Sequence, residues 1–290
     1  MGYYNGTAND MAAVRSALVN ACTLEGWAWN SSTEMLSKGA MFLRLQIVSG
    51  CLTLLGRTSA AAGDMPSVVR IAPFASVPVT FPLAYEIFVF ASEVYMVVNY
   101  SVDYYQWCAF GQSTVQGLPG SGMWVGASAS SQTVSASSIG IAPTYGSSYY
   151  GCCPALFCDV QDGAKSGCFV HSDIDAQGWW WSQSLNGAPV GITAIVPLIG
   201  LLPNAWNSEA VLLPIKAYKV RPSSKISLTA DLEHARYTRI DNYAPGEIIS
   251  IGSDRWKIYP WYRKDSSVRN GGLGINHTGT LGWAIRYVGP

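Results

Sequence analysis

The polar and apolar positions along this chain alternate far more often than they recur at helical spacing. One stretch near the start is the exception. Met11, Val14, Leu18 and Cys22 fall three to four residues apart, as on one face of a helix. Thr7, Asn9 or Asp10 can cap its start, and Gly26 is a natural stop. After that the pattern predicts strands. Residues 41–48 put Arg44 and Gln46 on one face, and 51–56 follow a Ser49-Gly50 turn, so the two runs predict a hairpin. Residues 85–90 and 93–100, rich in β-branched and aromatic side chains, predict a second pair around Ala91-Ser92. Further strands are predicted at 210–220, 225–230, 247–251, 255–262 and 280–287. Pro214 marks the first of these as an edge or a bulge.

Between 118 and 150 the pattern lapses into Gly and Ser with few large apolar residues, which predicts a loop or extended arm. The expected organisation is therefore a helix plus antiparallel β region over 1–117, an arm over 118–150, and a β-rich region over 151–290. The fold class is mainly β (α+β), with the N-terminal helix packed on antiparallel strands and a second, β-sandwich-like region after them. No solenoid or propeller repeat is visible.

Composition sharpens the picture in one respect. Only 12% of the residues are charged, about half the usual quarter, while Trp and Tyr number 11 and 16. Depletion of charge with enrichment of aromatics is the composition of interface cores. The formal net charge is zero, so nothing predicts long-range attraction to nucleic acid or anionic membrane. Eleven of the eighteen Lys and Arg lie between Lys216 and Arg269, interleaved with six acids, a pattern suited to salt-bridged subunit contacts. The first residues carry no basic region and no apolar run, and the apolar stretch 191–202 is short and broken by Pro197. The expectation is a protein without a signal peptide or membrane span.

Candidate chemistry is sparse. Cys152, Cys153, Cys158, Cys168 and His171 include zinc-ligand types, and Cys168-x-x-His171 has ligand-like spacing, but the adjacent pair and the long gaps match no finger or ribbon. Free thiols or a late disulfide remain open, and no metal is expected. His171, Ser172 and Asp173 are triad residue types, yet triad members normally come from distant parts of a chain. The acids Asp173, Asp175, Asp231, Glu233, Asp241 and Asp254 fix no paired-carboxylate site. No catalytic residue and no cofactor is expected. Trp179-Trp180-Trp181 reads either as a sugar platform or as packing between sheets or subunits. The run 255–264 interleaves basic and aromatic residues, which could stack single-stranded nucleic acid. No oligonucleotide-binding signature surrounds it, and the alternation of a two-faced strand explains it as well. Gly271-Gly272-Leu273-Gly274 lacks the Lys-Ser/Thr of a P-loop.

Several stretches carry a resemblance. They are 97–107 (VVNYSVDYYQW), 204–215 (NAWNSEAVLLPI), 231–242 (DLEHARYTRIDN), 254–257 (DRWK) with 260–264 (PWYRK), and 276–280 (NHTGT) with 282–287 (GWAIRY). Together they resemble a family of virion-associated proteins of tailed phages and prophages. The resemblance implies a virion structural protein, assembled in the host cytoplasm, and it brings no catalytic residues. The expected role is a homo-oligomeric ring subunit at the neck or tail-completion region, contacting other tail and neck proteins. A baseplate or tail-tip component, or a peripheral receptor- or glycan-binding module, is the alternative.

For the subunit contacts the sequence nominates Lys257, Tyr259, Trp261, Arg263, Trp179 and Trp181. On a strand through 255–262, Trp256, Ile258 and Pro260 share one face, expected to fill the core. Lys257, Tyr259 and Trp261 share the other, expected to meet a neighbour.

Overall fold

A computed structural model describes residues 1–72, 78–129, 155–157, 167–181, 211–223, 225–264 and 281–290. The chain opens with strand β1 (Gly2–Ala8) and helix α1 (Met11–Leu24). Asp10 caps the helix, its carboxylate accepting the Ala13 N–H at 2.7 Å. Five strands follow: β2 (Ala28–Asn30), β3 (Met35–Lys38), β4 (Met41–Val48), β5 (Cys51–Arg57) and β6 (Val69–Ile71). They pair in sequence order as one small antiparallel sheet. The hairpin expected around Ser49-Gly50 is present, with both residues at positive φ, as a two-residue type I′ turn requires.

The next strands build a long sheet: β7 (Leu83–Val89), β8 (Glu93–Ser101), β9 (Tyr104–Gln112), β10 (Met123–Ala127), β11 (Cys168–Ser172) and β12 (Gly178–Trp181). β1 returns to pair with β7, giving the order β1-β7-β8-β9-β10-β11-β12. The final five strands form a third sheet: β13 (Leu213–Arg221), β14 (Lys225–Arg239), β15 (Ile248–Ile251), β16 (Asp254–Pro260) and β17 (Leu281–Arg286). Their spatial order is β13-β14-β17-β16-β15.

The protein is thus mainly β with one α-helix among the described residues. Its long sheet is the middle of three layers. Side chains alternate between its two faces. Val94, Met96, Val98, Cys108, Phe110, Val125 and Phe169 pack with the helix and the small sheet. Tyr95, Val97, Trp107, Trp124 and Val170 pack with the third sheet. A sheet covered on both faces needs continuous apolar strands, which is why β8 reads as an almost unbroken apolar run. Gln106 is a buried polar exception toward the small sheet. Its amide bonds both the N–H and the C=O of Ala72, at 2.9 and 2.5 Å.

Three expectations need correction. The stretch 118–150 is not wholly an arm, because Met123–Ala127 is a strand between β9 and β11, buried throughout; residues 130–150 lie outside the described residues. The boundary at 151 does not follow the sheets, since β11 and β12 extend the sheet begun by the first region. The β-sandwich packing is accordingly between the third sheet and the long sheet. β1 was not expected at all. β13, by contrast, is the bulged edge strand its proline predicts. No helix among the described residues is long and apolar enough to cross a membrane.

Candidate subunit interface

β16 and the residues just after it carry four of the six residues nominated for subunit contact, and the alternation places Lys257, Tyr259 and Trp261 on one face as expected but facing the other way. Lys257, Tyr259 and the following Trp261 point into the chain, toward the long sheet. Tyr259 and Trp261 are buried there. Trp261 stacks on Trp283 (centroids 4.5 Å apart, 23° between planes) and meets Trp107 edge-on at 5.7 Å and Tyr237 at 6.0 Å. This aromatic layer fills the space between the two sheets. It is not a surface for a neighbour, and the assignment of this face to a subunit contact is overturned. Trp256 and Ile258 lie on the outer face, in a smaller cluster with Ile240 and Ala284.

Lys257 reaches the same joint. Its ammonium pairs with Glu86 on β7, donates to the Tyr3 hydroxyl at 2.7 Å, and sits 4.7 Å from the Tyr3 ring centroid. Burial works against the ammonium, but bonding to Glu86 and Tyr3 outweighs it and raises the Lys257 pKa above the usual value. Stability from a raised lysine pKa is fully present below the unfolded value, about 10.4, and is lost as pH climbs through the folded value. We expect the Lys257–Glu86 coupling, measured by a double-mutant cycle with Lys257→Met and Glu86→Gln, to be about 0.5–3 kcal/mol at pH 7–9 and to shrink as the pH climbs past the unfolded lysine value and through the raised folded one. A coupling unchanged across that range would mean that the pair does not hold the sheets.

Arg263 lies over the Tyr104 ring at 5.1 Å, and its backbone bridges Tyr104. The next residue, Lys264, is a buried cation bonded to the carbonyls of Ile240 and Asp241. Trp179 and Trp180 fall on opposite faces of β12 and are both buried. The Trp179 indole N–H donates to Gly63 O at 3.0 Å and that of Trp180 to Ser172 O at 2.9 Å. Neither ring is a platform for sugar or for a subunit. Trp181 pairs with Phe169 through its backbone, and its side chain is outside what is described.

The cysteine and histidine candidates also separate. Cys152, Cys153 and Cys158, like 271–274, lie outside the described residues. Cys168 and His171 sit on opposite faces of β11, as residues three apart on a strand must, so they cannot share an ion. Among the described residues no group of three or more His, Cys, Asp and Glu is placed to hold a metal ion.

The serine meeting His171 is Ser121, fifty residues away, and not the adjacent Ser172. The Ser121 N–H donates to His171 Nδ1 at 3.1 Å, and its Oγ lies 2.9 Å from the same nitrogen. A backbone N–H can only donate, so Nδ1 is the acceptor and the neutral ring carries its proton on Nε2. Burial lowers the His171 pKa, against a smaller opposing effect of Asp173, whose carboxylate stands 3.8 Å from Nε2. The lone pair that a nucleophile's proton would need is already engaged by the Ser121 amide. The arrangement pins the Gly120–Gly122 turn against β11; both glycines have positive φ.

A further joint was invisible to sequence reasoning. Glu93 on β8 is fully buried. One carboxylate oxygen accepts the Glu233 N–H at 2.9 Å. The other accepts the His234 N–H at 2.9 Å, the His234 ring at 2.8 Å and the Tyr95 hydroxyl at 2.8 Å. Burial, and next the charge on Glu93, push the Tyr95 phenol well up, so it stays a donor. His234 in turn stacks on Phe90 at 3.9 Å. One charged group thus ties the long sheet to β14.

No protein-family model matches the chain, and no curated protein sequence matches it.

Proposed function

We propose that the chain is a non-enzymatic structural subunit of a tailed-phage particle, repeated as a ring at the neck or tail-completion region. The observation that carries the reading is the edge of the third sheet. Among the described residues β15 is one of its two outer strands, and Ile248 and Ile251 on it are 42% and 43% exposed in a chain with few charges. Apolar residues on an open strand edge invite another chain. The stretches that resemble virion proteins fall largely on structural strands: 97–107 across β8 and β9, 231–239 on β14, 254–260 on β16, and 282–286 on β17. The ionisable groups buried in these strands hold sheets together, which suits a building block. Native mass spectrometry of the purified protein should give a fixed small-integer oligomer. Proteomics of a purified particle should give the same integer or its multiple as copy number. A monodisperse monomer at high concentration, with no such component in particles, would sink the reading.

A further inference from the structure

Among the described residues nothing pairs with the outer side of β13 or β15, the two ends of the third sheet, and these two edges differ in kind. At one end is β15. The Ile258 N–H donates to Glu247 O at 2.9 Å, so Glu247 is hydrogen-bonded inward to β16. In an antiparallel pair such bonds alternate, which turns the N–H and C=O groups of Ile248 and Ser250 outward. The stretch 246–254 holds Glu247 and Asp254 and no basic residue. It has no Pro or Lys to blunt the edge; its one irregularity is at the start, where Gly246, at positive φ, and Glu247 both face Ile258 as a bulge, and the ladder is regular from Ile248 to Ile251. At the other end is β13, with Lys216, Lys219 and Arg221 and no acid on the strand. Beside it Ile226 on β14 is 52% exposed.

We infer that β15 of one copy adds to β13 of the next, so that the third sheets run on from subunit to subunit. The inference rests on the ring reading above and names the surface that closes the ring. The occupant is a second copy because the two edges complement each other and neither complements itself. Two β13 strands would set Lys and Arg against Lys and Arg. Two antiparallel β15 strands would bring Glu247 of one toward Asp254 of the other. β15 against β13 sets acids toward bases. Pairing of unlike edges is heterologous, and such contacts generate rings when the rotation closes. The charges at both edges have neighbours within the chain: Lys216 pairs with Asp231 at 3.2 Å, Arg221 with Asp175, and Lys219 lies over Trp180, while of the two acids that flank β15 Glu247 accepts the Ala244 N–H at 2.8 Å and Asp254 pairs with Arg286 at 2.6 Å. Their contribution across the edge is therefore selection of partner and register more than strength. Pro214 removes one donor from the β13 edge and limits the pairing to the strand after it.

Ser250→Pro tests this directly. Proline removes the outward N–H of Ser250 without touching the ladder to β16. We expect the variant to keep the wild-type circular dichroism, to match the wild-type melting temperature at dilutions where the wild type is also monomeric, and to run as a monomer under conditions where the wild type is oligomeric. A benzophenone side chain at position 251 of the otherwise wild-type chain should crosslink into 213–221 of a neighbouring copy. If Ser250→Pro assembles as the wild type does, or if the crosslinks fall on the neighbour's 246–254 or elsewhere, the edge pairing is wrong while the ring stands. A wild type that is monomeric at every concentration overturns both. Should Ser250→Pro lose its fold, the crosslink map decides alone.

Discussion

Replacing Glu93 by alanine should unfold the protein or cost about 3–5 kcal/mol, because it breaks a buried hydrogen-bond network at its only shared acceptor. The effect is large because of what is left behind. Without the carboxylate, two adjacent backbone N–H groups of β14, the Tyr95 hydroxyl and the His234 ring all lose their acceptor in a site without exposure. Each unpaired buried donor costs about 1–3 kcal/mol, though relaxation and entering water recover part of the sum. Glu93→Gln should fall between wild type and alanine. Its amide keeps one acceptor oxygen but turns an NH2 group toward donors. Urea unfolding of the three proteins, followed by tryptophan fluorescence, gives the order directly. A Glu93→Ala protein as stable as the wild type would mean that the carboxylate is not the tie between the sheets.

The second large effect is expected at Trp261. Trp261→Ala should destabilise the monomer by about 3–5 kcal/mol, the usual cost of deleting a buried aromatic ring. Its indole stacks on Trp283 and touches Trp107 and Tyr237, so the cavity opens in the middle of the layer between the sheets. Trp256→Ala should cost less, because Trp256 belongs to the small outer cluster and its ring is partly covered by the Arg236 guanidinium, 5.3 Å away. This order reverses what the sequence alone suggests. Thermal unfolding of both variants decides between the two faces. Equal or greater loss at Trp256 would return the outer face to the core.

The helix and the hairpins were legible because their signals are local. A cap, a spacing of three and four, and a Ser-Gly turn all act within a few residues. The layer order was not legible, since it depends on which faces meet. On β16 both faces are apolar, with Trp256 and Ile258 on one and Tyr259 and Trp261 on the other. The sole charge between them, Lys257, marked the wrong side as exposed. Its partner Glu86 is 171 residues away, and no pattern within β16 announces it. Glu93 escaped notice for a similar reason. Next to a hairpin turn a glutamate reads as surface, and only the fold brings β14 onto it. β1 escaped because its Tyr-Tyr-Asn-Gly-Thr run has no apolar alternation. As an edge strand it sends Tyr3 toward Phe88 and Tyr287, and Tyr4 toward the helix side.

The place of β17 has a consequence for timing. It pairs with β14 on one side and β16 on the other, though both are made before it. Until residues 281–286 emerge, the third sheet exists only as two separate hairpins, β13–β14 and β15–β16, with an empty slot between them. Neither hairpin alone covers the aromatic face of the long sheet, because Trp283 and Ile285 come from the strand that fills the slot. A nascent chain therefore carries that face uncovered until residues 281–286 have emerged, and until then wrong partners are a hazard. The same order keeps the edges of β13 and β15 from being set at their final separation until the third sheet has closed.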